Sequence, residues 1–156
     1  MVENTQKETT EPSLNYDVMF NKILLETSES IKEIIESKQR AIDIIEIFSI
    51  SIKSKTKNRG EVIIDTLGNV WFVLIGRRSI FNTKLQKKLF TLYTEPKVGT
   101  LKLYIDCDFL IDKNLSYSEK VKKYDLVYSE EILVGILKQL AESKNFTFLL
   151  DSVSKS

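Results

Sequence analysis

Histidine is absent from this chain of 156 residues, and cysteine occurs once, as Cys107. Without imidazole, Ser-His-Asp and Cys-His catalysis are excluded, and so are the common histidine-bearing zinc sites. A lone cysteine excludes an intramolecular disulfide, a CxxC redox pair and any multi-cysteine metal site. Glycine (five) and proline (two) are scarce, while Ile, Lys, Asn, Phe and Tyr abound. That bias fits an AT-rich coding sequence and speaks of origin rather than function. Long apolar runs are missing too: the longest, Val70 to Ile75, falls far short of the roughly 20 residues that span a bilayer. Nor does one charge dominate. Twenty-three basic and 22 acidic side chains leave +1, which excludes a uniformly basic nucleic-acid binder and a strongly acidic disordered chain.

What remains suits a single core, 42% of the residues being apolar. Residues 1–13 hold Glu3, Glu8, Glu11 and Pro12 with no apolar stretch. They are expected to form a disordered arm without a targeting signal, which makes an intracellular, cytoplasmic protein the expectation. One domain is expected over residues 14–151 and a frayed end over residues 152–156.

Periodicity predicts the elements. Asn15 to Leu25 reads as a helix with Phe20, Ile23 and Leu24 on one face. A second helix starts at Ser30, where Ser30 and Glu33 have capping-box spacing and Ile31, Ile34 and Ile35 form the stripe. Phe48, Ile50 and Ile52 alternate with polar residues as in a half-buried strand. Glu61 to Thr66 and Val70 to Ile75 are expected to pair as a hairpin through Leu67-Gly68-Asn69, the second being the central covered strand. A helix is expected from about Thr83 to Leu92 on Leu85, Leu89 and Leu92. Leu101, Leu103, Ile105, Cys107 and Phe109 form one face of a strand. Tyr117 to Tyr128 fits either helix or loop. Ser129 caps a helix carrying Ile132, Leu133, Ile136, Leu137 and Leu140, and Phe146, Phe148 and Leu150 read as a last strand. The fold class is therefore α+β, a small, mostly antiparallel sheet or partly closed barrel packed by helices, with N-terminal helices. Its core is expected to be led by Trp71, Phe72, Leu74, Leu103, Ile105, Ile132, Ile136 and Leu137.

Charge is balanced overall but not locally. Residues 1–52 carry five basic and ten acidic side chains, whereas residues 53–102 carry eleven and three. The basic middle has two parts. Arg77, Arg78, Ser79, Asn82 and Thr83 lie where a buried strand hands over to an expected helix. Free N–H groups at a helix start and bidentate arginine donors there would hold an anion or phosphate, provided the strand ends at Gly76. A solvated strand end with an ordinary cap accounts for the same residues. Lys53, Lys55, Lys57 and Arg59 form a basic loop that would touch phosphates non-specifically, or simply solvate a hairpin tip. Asp106 and Asp108 share a strand face about 7 Å apart, which solvent-face alternation explains without a metal. Cys107, on the apolar side, is expected to be an inert core residue.

Trp71-Phe72-Val73, Arg77-Arg78-Ser79 and the strand from Thr100 to Ile111 show a faint similarity to flavin-binding split barrels of the pyridoxamine-phosphate-oxidase type. The similarity spans about residues 30–112 and holds no specific motif. The first strand lacks the small residues that usually face the flavin ring in that family. FMN on Arg77 and Arg78 is what the similarity implies as an alternative to no cofactor at all.

Three functions follow as expectations. Foremost is a non-catalytic protein-interaction or assembly subunit, as in a virus, mobile element or multi-protein complex, because no nucleophile–base set is present and an acidic N-terminal part faces a basic middle. Its partner would be another protein or a second copy, with contacts that weaken as salt rises. The alternatives are the small flavin- or nucleotide-binding protein and a non-specific nucleic-acid binder on the basic middle. A membrane partner is not expected.

Overall fold

The computed structural model describes residues 2–76, 85–97 and 99–155, with side chains from residue 15 onward. Among the described residues, nine elements follow one another: α1 (Val2–Lys55), β1 (Gly60–Ile64), β2 (Asn69–Leu74), β3 (Lys87–Thr94), β4 (Leu101–Tyr104), α2 (Tyr117–Tyr124), β5 (Asp125–Val127), α3 (Glu130–Glu142) and α4 (Lys144–Lys155). The chain divides into two compact units, Met1–Ser37 and Lys38–Ser156. The fold is α+β.

The second unit is built on a five-stranded antiparallel meander in the order β1-β2-β3-β4-β5. The sheet is open, with β1 and β5 at its edges, so it is not the partly closed barrel of the flavin-binding split-barrel type. Alternation puts Val62, Val70, Phe72, Leu74, Leu101 and Leu103 on the covered face, all buried. Helices supply the other half of the core. Ala41, Ile45 and Ile52 come from α1, Leu133, Ile136, Leu137 and Leu140 from α3, and Phe146, Leu150 and Val153 from α4. Phe146 meets Phe72 edge-on at 6.0 Å and Phe109 at 5.5 Å. Ser129 caps α3 through the Ile132 N–H, as its position predicts.

The outer edge of β1 is sealed by α1. Gly60 N–H donates to Thr56 Oγ1 and Val62 N–H to Ser49 Oγ, both at 3.0 Å. Thr56 Oγ1 also donates toward the Gly60 carbonyl at 3.2 Å. Ser49 and Thr56, buried polar side chains seven residues apart, thus satisfy the strand amides that face away from β2.

Several local expectations are corrected. Phe48 to Ile52 is helix, not strand. Ile45, Ser49 and Ile52 are buried at helical spacing, while Ile47 and Ile50 point to solvent from the opposite face, so two apolar faces imitate a period of two. The two N-terminal helices are one. No glycine or proline separates Leu25 from Ser30, and Ser28 and Ser30 return hydroxyl bonds to the carbonyls of Leu24 and Glu26 instead of capping.

From Lys87 onward the expected helix over Thr83 to Leu92 is β3. A bulge makes Val70 pair with Phe90 but Trp71 with Lys88. Skipping Leu89 puts Leu89 and Leu92 on the same side with helix-like spacing. Phe146 to Leu150 belongs to α4, whose buried residues Phe146, Leu150 and Val153 recur at four and three, with Phe148 exposed. β3, not β2, is central. Tyr117 to Val127 splits into α2, opened by the Ser116/Glu119 capping box, and β5. Trp71 lies half-buried on the uncovered sheet face and Ile132 at the edge of the core, so neither leads it.

Candidate interaction surface

In the first unit, every side chain from Asn15 to Glu33 is exposed. Nine large apolar residues are among the exposed side chains from Tyr16 to Ile35, including Tyr16 at 60%, Phe20 at 55%, Leu24 at 65%, Ile31 at 48% and Ile35 at 60%. Tyr16 and Phe20, one turn apart, stack with ring centroids 6.5 Å apart. With about 100° of turn per residue, Tyr16, Met19, Phe20, Ile23, Leu24, Ile31 and Ile35 fall on one side of the helix. Such a stripe is what a helix normally buries. The sequence pattern marks these residues as apolar and periodic, and it puts Ile31 and Ile35 in an expected buried stripe. The structure corrects that expectation: within this unit nothing covers them.

The borders of the stripe are charged. Glu26 and Glu33, seven residues apart, line one border with Lys22 just behind them, and Asp17 stands beside Leu24 on the other. Lys32 lies toward the back and faces Glu36 at 4.0 Å. Residues 1–37 as a whole carry eight acidic and three basic side chains.

Of the sites expected from sequence, Arg77, Arg78, Ser79, Asn82 and Thr83 lie outside the described residues. The basic loop is redistributed: Lys53 and Lys55 sit in the last turn of α1, and Lys57 and Arg59 follow it. Three of the four have partners at the surface. Lys53 pairs with Glu61 at 3.3 Å and Lys55 with Asp151 at 3.3 Å, while an Arg59 guanidinium N–H donates to the Ser154 carbonyl. Lys57 turns the chain, with φ at 56°. Elsewhere in the basic middle, Lys88 faces Asp106 at 3.9 Å and Lys102 faces Asp125 at 3.1 Å.

The uncovered sheet face is apolar at its β1–β2 end, where Ile63, Trp71 and Val73 line a cleft of about 400 Å³, and it is polar and internally bonded farther along. Tyr93 donates to Asp125 at 2.7 Å, and Thr91 to the Asn69 side-chain oxygen at 2.8 Å. Burial first, then the Asp125 carboxylate, pushes the Tyr93 phenol up to about 12. A cleft of about 320 Å³ lies beside Lys88, Asp106, Cys107 and Asp108. Cys107 is buried, and burial, seconded by the neighbouring aspartates, pushes its thiol up, the reverse of what activates a nucleophile. Asp108 faces Lys113, and among the described residues no group of His, Cys, Asp or Glu has the arrangement of a metal site. Likewise, no described helix is long and apolar enough to cross a membrane.

No protein-family model, curated protein or solved structure matches this chain.

Proposed function

We propose that this chain is a non-catalytic protein-interaction or assembly subunit. The observation that carries this is the uncovered apolar stripe from Tyr16 to Ile35 on α1. A helix in water draws most of its stability from packing an apolar face, and contiguous exposed apolar patches mark interaction sites. Aromatic side chains such as Tyr16 and Phe20 bury about 150–250 Å² each when covered. Tyr16, Met19, Phe20, Ile23, Leu24, Ile31 and Ile35 place seven such apolar residues on one side of the helix, each 43–65% exposed.

A nucleic-acid reading draws less support, because Lys53, Lys55, Lys88 and Lys102 already face carboxylates. The test is the native mass of the tagged chain isolated from its own cells under mild conditions. A particle well above 18.0 kDa that reverts to the monomer in Phe20→Glu/Ile31→Glu is expected. A monomeric wild type overturns the proposal.

A further inference from the structure

Resting on that reading, we infer that the stripe from Tyr16 to Ile35 docks a foreign helix or groove whose apolar centre is bordered by lysine or arginine, rather than a second copy of itself. The apolar residues supply the contact and the borders choose the occupant. Glu26 and Glu33 line one border, and Asp17 marks the other. Two copies paired through this stripe would bring one acidic helix, eight acidic against three basic residues over 1–37, against another. Like charges at the flanks of a helix pair oppose association, and opposite ones select it.

Among the described residues, five cations of the chain's own basic middle already have partners. Lys53, Lys55, Lys88 and Lys102 are drawn to Glu61, Asp151, Asp106 and Asp125, and Arg59 is spent on the Ser154 carbonyl. An anionic bilayer is disfavoured by the same acidic borders.

Two synthetic helical peptides with the same leucine stripe, one bordered by lysines and one by glutamates, test this by titration against the full-length protein. The lysine-bordered peptide is expected to bind at least tenfold more tightly at low salt, with the difference shrinking as salt screens it. Phe20→Ser/Ile23→Ser should abolish binding of both peptides. Asp17→Asn/Glu26→Gln/Glu33→Gln should retain binding and erase the discrimination between them. Equal affinity of the wild type for both peptides overturns the inference. So does self-association that Phe20→Ser/Ile23→Ser abolishes and added salt strengthens, although that result would leave the interaction-subunit reading standing. Monomeric native particles would remove the interaction-subunit reading and this inference with it.

Discussion

The indole of Trp71 donates to Asp65 Oδ2 at 3.0 Å, and this contact ties the β1–β2 hairpin turn to the uncovered face of the sheet. The same carboxylate accepts the backbone N–H groups of Leu67 and Asn69, each at 2.9 Å, and the Asn69 side-chain amide at 3.2 Å. One aspartate thereby closes the turn and orients the single tryptophan. The Trp71 bond, followed by those from Asn69 and Leu67, holds the Asp65 carboxyl below its ordinary value.

A carboxyl with a lowered folded-state pKa contributes stability above its unfolded value, and that contribution is lost as pH falls through the folded one. Trp71 emission should therefore stay constant down to about pH 4, the ordinary carboxylate value, and change only below it. Asp65→Asn, whose single carbonyl cannot serve the turn and the indole together, should show the altered emission already at neutral pH. An unchanged spectrum and titration in that variant would show that the bond does not orient the indole.

Tyr93 gives the opposite sign. Its phenol is pushed up to about 12, so between about pH 10, its unfolded value, and pH 12 the folded state holds a proton that the unfolded state releases. Stability should fall across that window as pH rises. Chemical denaturation at pH 9 and pH 11.5 should show a smaller loss for Tyr93→Phe than for the wild type.

Sealing of the β1 edge is testable at Ser49 and Thr56. Ser49→Ala leaves the buried Val62 N–H without its acceptor, and Thr56→Val does the same to Gly60. Each should cost about 1–3 kcal/mol. The Val62 amide should exchange with solvent faster in Ser49→Ala than in the wild type, and protection equal to wild type would count against the seal.

Gly68 occupies the hairpin turn at φ +86°, and a Cβ placed there would lie 1.9 Å from the Leu92 carbonyl oxygen. Its own carbonyl accepts the Leu92 N–H at 2.8 Å. Gly68→Ala should destabilise by roughly 2–5 kcal/mol, from the left-handed backbone together with the overpacked contact. Thermal unfolding measures it.

In the core, Leu103→Ala and Ile136→Ala should each cost roughly 2–5 kcal/mol through lost burial and the cavity left behind. Leu103 is fully buried on β4, and Ile136 nearly so on α3. An unaltered thermal midpoint for either variant would be incompatible with those positions.

Where one period was unopposed, the elements were legible from residues alone. Leu101 and Leu103 alternate on β4 and are buried, although the strand ends at Tyr104 and the chain from Ile105 to Phe109 leaves it as loop and turn. Ser129 caps the helix whose stripe is Leu133, Ile136, Leu137 and Leu140. Asp65 to Asn69 closes its hairpin by local hydrogen bonds. These depend on neighbours in the chain, and local spacing specifies them.

Tertiary structure decided the rest, because apolarity states that a side chain is better buried but not what buries it. Phe48 to Ile52 and Phe146 to Leu150 satisfy both periods over five residues, and only packing chose the helix. Leu89 and Leu92 fall in step because of a bulge created by strand pairing with β2. The same ambiguity governs function. The composition excluded histidine and multi-cysteine chemistry outright, since a missing side chain cannot be supplied by folding. Tyr16 to Ile35 carry a periodic apolar stripe by sequence alone, whereas its lack of cover is a property of the folded unit, in which no other element reaches those residues.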